Sequence, residues 1–235
     1  VIMTPSKAAI NGGKSVGDSS AYIGEDNNKA QTLMSSFSTD GLYSCVSYNR
    51  YYSSAAGANC EPYIIIGYPE LCFNIAEAAN RGWISGQSAA TWYNKGIMAS
   101  MDVYGITQGK VVTVGNEDNT KPNLGSVTLD INKFLANPNV SYAGDNATGL
   151  NQILTQKYVA FFMNSGFESF YQWRRTGIPA LAQGGTGVGT PSFQIPTRWK
   201  YPQDEITYNA SNNSAAVSSQ FGDTDDIFAK MWLIK

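Results

Sequence analysis

Between Tyr68 and Gly105 the sequence carries two sets of helix start and stop signals back to back, and they leave room for one local arrangement. Pro69 suits a first helical position and Glu70 complements the positive end of a helix dipole. Arg81 complements the negative end, and Gly82 ends the run. These signals predict a helix over 69–81. Its apolar residues, Leu71, Ile75 and Ala78 on one flank and Cys72, Ala76 and Ala79 on the other, span so wide an arc that both flanks need partners. Ser85 can cap a second helix, with Trp92, Gly96, Ile97, Ser100, Met101 and Tyr104 along one stripe and a stop at Gly105. The short turn makes the pair an antiparallel hairpin. The order of Ala76, Ala79, Gly82, Ala89, Tyr93 and Gly96 resembles a tetratricopeptide unit, and one such unit cannot bury its own face.

Further helices must therefore stack on it. Val127, Ile131, Phe134 and Leu135 predict a short one ended by Asn137-Pro138. Leu150, Ile153, Leu154, Lys157 and Phe161 predict a longer one broken at Gly166, and Phe167 to Thr176 a last one stopped by Gly177 and Pro179. Residues 1–61 show no sustained period and are punctuated at Asn11-Gly12-Gly13, Gly17-Asp18 and Asp40-Gly41, so that segment reads as loop-rich, and the tyrosines clustered in it make it a candidate ligand-facing segment. Val111 to Val114 fits a loop or short strand. From Ala180 to Tyr208 the glycine run 184–189 and three prolines predict an extended tail. No strand leads into that glycine run and no helix starts on it, so it is not a dinucleotide loop. The expected class is mainly α, with tetratricopeptide-like hairpins, long ordered loops and little β structure, residues 62–235 forming the helical region.

Composition narrows the function. Only 14% of the 235 residues are charged, against about 25% in an average soluble domain. Asn, Ser, Thr and Gln together supply 69 residues, a surface suited to neutral polar ligands. A net charge of −2 without a basic run argues against nucleic acid. The chain has 0 His, which removes His-dependent nucleophile systems and His metal sites. No apolar stretch approaches the ~18 residues of a membrane helix. Val1 to Ile10 carries neither an initiator Met nor a signal-peptide pattern and reads as a cut end. Of the three cysteines, Cys45 and Cys60 lie in a turn-rich segment where a disulfide would staple a loop, whereas Cys72 reads as a small core residue.

The motifs also form an ordered series. Tyr68-Pro69-Glu70, Ala76-Glu77-Ala78-Ala79, Arg81-Gly82-Trp83, Tyr93-Asn94-Lys95-Gly96-Ile97, Ala99-Ser100-Met101 and Tyr104-Gly105 come first. Gly166-Phe167-Glu168, Trp173-Arg174-Arg175-Thr176-Gly177, Pro179, Ile195-Pro196, Arg198, Tyr201-Pro202, Glu205, Asn209 and Trp232 follow. From about residue 62 to 235 this series resembles the C-terminal half of the SusD/RagB family of nutrient-binding outer-membrane lipoproteins. The resemblance implies a lipid-anchored cell-surface protein that binds glycans without catalysis. It also implies delivery to a SusC-like TonB-dependent transporter, with no cofactor. The lipidated Cys would lie upstream of Val1.

Neutral glycans are held by flat aromatic rings surrounded by amide and guanidinium hydrogen-bonding groups. Tyr43, Tyr48, Tyr51, Tyr52, Tyr63 and Tyr68 crowd one stretch with Asn49, Arg50 and Asn59, and Tyr48, Asn49, Arg50, Tyr51 and Tyr52 are the candidate ligand-binding residues. The same tyrosines also suit ordinary cover of a loop-rich lobe. Trp173-Arg174-Arg175 at a helix end reads as structural, with Glu168 two turns back as the partner of Arg175. Asp204 and Glu205 point to opposite faces of an extended segment, which argues against a glycoside hydrolase pair. Asp223, Asp225 and Asp226 read as a solvated acidic turn, and Trp83, Trp92 and Trp232 as core. The hairpin alone also fits a helical-repeat protein-interaction module without a small-molecule site.

Overall fold

The computed structural model describes residues 2–52, 63–189 and 192–234. Among the described residues it contains ten α-helices and one two-stranded sheet, the mainly helical class expected. The first segment is less loop-like than its composition suggests, holding α1 (Lys7–Asn11), α2 (Gln31–Thr39) and α3 (Tyr48–Tyr51). These are short and tied down by local bonds rather than by a long apolar stripe. The buried Ser6 hydroxyl accepts the Ala9 N–H at 3.1 Å and so starts α1. The N-terminal strap then holds the stretch before α3. Thr4 donates to the Cys45 carbonyl at 2.8 Å, Ser47 donates to the Ile2 carbonyl at 2.7 Å, and Met3 bridges Val46. The proposed Cys45–Cys60 pairing lies outside the described residues, because Cys60 falls in 53–62.

The hairpin forms as α4 (Tyr68–Asn80) and α5 (Ala89–Val103). Ser88, not Ser85, caps α5, its hydroxyl accepting the Thr91 N–H at 3.2 Å. Gly86, with a positive φ of 73°, keeps the chain in a turn past Ser85. Trp83, expected in the core, is 66% exposed beyond the helix stop at Gly82, and the Arg81 guanidinium lies 5.1 Å from its ring. Trp232, also expected in the core, is 73% exposed. Cys72 is fully buried, as its place in α4 required.

Strands β1 (Val111–Val114) and β2 (Gly125–Thr128) form an antiparallel ribbon that pairs Val112 with Val127. Val127 therefore belongs to a strand and not to the following helix. That helix, α6 (Ile131–Leu135), starts where the Asp130 carboxylate accepts the Lys133 N–H at 3.0 Å. The longer helix, α7 (Ala147–Ala160), packs on both members of the hairpin and supplies the missing partner. Phe73, Ala76, Tyr93, Ile97, Val140 and Ile153 make the core where they meet. Gly96 lets the Phe73 ring approach, since a Cβ there would lie 2.8 Å from it. The Tyr93 hydroxyl donates to the Val140 carbonyl at 2.7 Å, and burial pushes its pKa up to about 12.

Helix α8 (Glu168–Thr176) packs on α7, and the buried Gln172 donates to the Leu154 carbonyl at 2.7 Å. It is not the last helix. α9 (Gln203–Tyr208) and α10 (Ala210–Phe221) follow, so the tail is extended only as far as Pro202. In α10 only Val217 is buried, so this polar helix shows no apolar period. The glycine run serves close backbone approach. Gly185 donates to the Asn28 side-chain oxygen at 2.7 Å, and Cβ atoms at Gly185 and Gly187 would lie 2.0 and 2.1 Å from the Asn28 and Lys29 carbonyls.

Candidate functional site

The five candidate residues lie on α3 and at its end. A four-residue helix has little stability of its own, so its position comes from its contacts. Ser47 just before it is held by the N-terminal strap. Arg50 donates to the Tyr104 carbonyl at 3.3 Å, and its guanidinium carbon lies 5.0 Å from the Tyr104 ring centre. Asn49 donates to the Asn119 side-chain oxygen at 3.3 Å, bringing α3 to the loop between β1 and β2. That loop is pre-shaped by its own polar groups. The Asn116 side-chain oxygen accepts the Lys121 N–H at 2.8 Å, and the Asp118 carboxylate accepts the Thr120 N–H at 3.0 Å.

One helical turn places Tyr48 and Tyr52 together, with ring centres 6.2 Å apart and planes inclined at 39°. Tyr52 is 64% exposed, Asn49 is exposed, and Tyr48, Arg50 and Tyr51 are half-buried. Tyr48, Tyr52 and Asn49 thus form the presented surface, while Arg50 straps α3 to the end of α5. No spacing rule pointed to Tyr104 or Asn119 as the supports, because both come from distant sequence.

The other tyrosines of the cluster go elsewhere. Tyr43 meets Phe37 edge to face at 6.1 Å, and Asn59 falls outside the described residues. Tyr63 and Tyr68 line an open groove of about 1280 Å³ with Ile65, Ile66, Asn94 and Lys95.

The charged motifs are structural, with partners that differ from those expected. Arg175 pairs with Glu77 of α4 rather than with Glu168, both of its terminal nitrogens reaching the carboxylate at 2.7 and 2.8 Å. Arg81 adds a third bond at 2.9 Å. Burial alone would raise the Glu77 carboxyl pKa, but hydrogen bonds and charge from Arg175, then from Arg81, outweigh it and hold the group below its ordinary value. Lys157 is also buried. Desolvation lowers its pKa against the opposing charge of Glu70, and it donates to Asn74 at 2.7 Å. Asp225 is not simply solvated, since it pairs with the buried Arg198 and accepts the Tyr201 N–H at 2.9 Å. Among the described residues, no cluster of three or more His, Cys, Asp or Glu could hold a metal ion, and no helix is long and apolar enough to cross a membrane.

The α4/α5 hairpin with α7 packed on it forms a tetratricopeptide-like helical scaffold. Residues 11–202 match the family model described as starch-binding, associating with the outer membrane. A SusD homolog from Bacteroides fragilis NCTC 9343 superposes with a TM-score of 0.79 at 32% identity, covering 100% of this chain and 48% of that one. A second SusD homolog from the same strain gives 0.71 at 28% identity, covering 100% and 47%. A chitin-binding protein gives 0.57 at 27% identity, covering 83% and 37%. No curated protein matches. This chain spans about half the length of the two SusD homologs. It belongs to the SusD-like family.

Proposed function

We propose that this chain is the glycan-capturing part of a non-catalytic protein lipid-anchored on the outer membrane, which delivers polysaccharide to a SusC-like TonB-dependent transporter. The observation that carries the site is the Tyr48–Tyr52 pair, presented beside Asn49 on a helix held in place through Ser47, Asn49 and Arg50. Sugar rings stack on such faces, and the amide supplies directional hydrogen bonds. Strapping α3 before the ligand arrives reduces the ordering cost of binding. The family description and the chitin-binding neighbour support the glycan class, and starch and chitin fragments are the first probes. Replacing Tyr48, Tyr51 and Tyr52 together by Ala should abolish retention on the bound glycan while leaving the far-UV helical signal intact. Unchanged retention would remove this site.

A second reading, a helical-repeat module holding a protein partner, is favoured by one observation. Ile65 and Ile66, 77% and 84% exposed, border the groove beside α5. It predicts partner capture with no response to saccharide. Saturable saccharide binding by the purified protein alone would count against it.

A further inference from the structure

A second aromatic surface lies away from α3 in the sequence and is built from different elements. Phe167, Phe170 and Tyr171 come from α8 and its lead-in, and Trp199 from the extended tail. Trp199 meets Phe167 at 5.6 Å and 86°, Phe170 at 5.3 Å and 69°, and Tyr171 at 6.4 Å and 68°. Such edge-to-face contacts fix the orientation of each ring. Even so, Phe167 and Trp199 stay open, 62% and 54% exposed. Exposed aromatic area concentrated in one place marks an interaction site more often than chance surface does.

The tail that carries Trp199 is fixed on both sides. Thr197 donates to the Ile227 carbonyl at 2.9 Å, the buried Arg198 pairs with Asp225 and donates to the Asp226 carbonyl at 3.0 Å, and Tyr201 donates to Asp225 at 2.9 Å. The indole is therefore presented on a rigid support, and a ligand has little ordering cost to meet. Phe167, Phe170, Pro196, Trp199 and Lys200 line a cavity of about 350 Å³. That is the low end of the ~300–1,000 Å³ range of small-ligand pockets, so it suits one or two sugar rings and not a helix. A donor borders the open rings. Lys200 is exposed, whereas the Arg174 guanidinium lies over Phe170 and Tyr171 at 5.7 and 5.3 Å and donates to the Thr197 carbonyl at 3.4 Å, so it occupies their faces. Flat apolar rings bordered by a hydrogen-bond donor match a pyranose, whose faces carry C–H groups and whose edge carries hydroxyls. A net charge of −2 disfavours a nucleic acid strand on the same rings.

We propose that Trp199, with Phe167, forms a second saccharide subsite built from elements other than α3; this rests on the glycan-capture reading above. The test is calorimetric titration of the intact protein with maltoheptaose and with chitohexaose, comparing the parent with Trp199→Ala, with helical content and melting temperature recorded for each. If the subsite exists, the sugar that binds the parent binds Trp199→Ala about tenfold more weakly at unchanged melting temperature. Should Trp199→Ala fail to fold, Phe167→Ser must show the weakening instead. A parent that binds sugar with an affinity that neither Trp199→Ala nor Phe167→Ser alters overturns the subsite alone. A parent that binds neither sugar overturns the subsite along with the reading on which it rests.

Discussion

Arg175 forks onto Glu77 with bonds of 2.7 and 2.8 Å across a sequence separation of 98 residues, tying α8 to the first helix of the hairpin. The Glu77 side chain is only 5% exposed, so a charge sits there because two guanidinium groups meet it. The pair explains why an arginine doublet follows a tryptophan at the end of α8. One arginine anchors the scaffold, and the other, Arg174, lies on the aromatic rings.

Removing Arg175 should therefore cost more than removing Arg81. Arg175→Ala breaks the two-pronged bond and leaves Glu77 buried with one partner, a loss of about 3 kcal/mol. Arg81→Ala removes a single bond between residues one turn apart, a loss of about 1 kcal/mol. Urea unfolding of both variants measures the difference, and equal losses would contradict the geometry.

The same carboxylate sets an acid limb. Glu77 has a lowered pKa in the folded protein and its ordinary value of 4.5 when unfolded, so its contribution is complete above pH 4.5 and is lost as pH falls through the folded value. Melting temperature recorded on descending pH below about 5 should drop more steeply in the parent than in Glu77→Gln. Parallel curves would show that Glu77 does not drive this limb.

Two glycines should respond differently to one added methyl. At Gly149 in the first turn of α7 a Cβ would come 2.0 Å from the Gly144 carbonyl oxygen, and main chain cannot step aside cheaply. At Gly96 the obstacle is the Phe73 ring at 2.8 Å, a side chain that can tilt. Gly149→Ala should cost about 3 kcal/mol and Gly96→Ala about 1 kcal/mol, within the usual span for overpacked interiors. Thermal melts order the two, and the reverse order would show that the segment 142–144 beside Gly149 moves more freely than the Phe73 ring.

What the sequence revealed was what local rules control. Pro69, Glu70 and Gly82 bounded α4 to within one residue, because caps and helix stops act over a single turn. The Ser88 cap was misplaced onto Ser85 because two serines compete and only the turn at Gly86 decides between them. Helix α10 was invisible because its single buried residue leaves no period to read. Non-local pairings were equally hidden. Glu77 with Arg175, Arg50 with Tyr104 and the glycine run with Asn28 each join distant segments, and nothing within one helical turn announces them. The tyrosine cluster shows both sides of this limit. Helical spacing brings Tyr48 to Tyr52, while tertiary packing sends Tyr43, Tyr63 and Tyr68 elsewhere.

Affinity electrophoresis of the intact protein through gels containing starch, soluble chitin derivatives and other neutral and acidic polysaccharides tests the central claim most directly. The account predicts retardation on one or two glycans and its loss when Tyr48, Tyr51 and Tyr52 are replaced by Ala in a still-helical protein. Migration unchanged by every glycan in the panel would contradict glycan capture, and retardation that survives the triple replacement would contradict its assignment to α3.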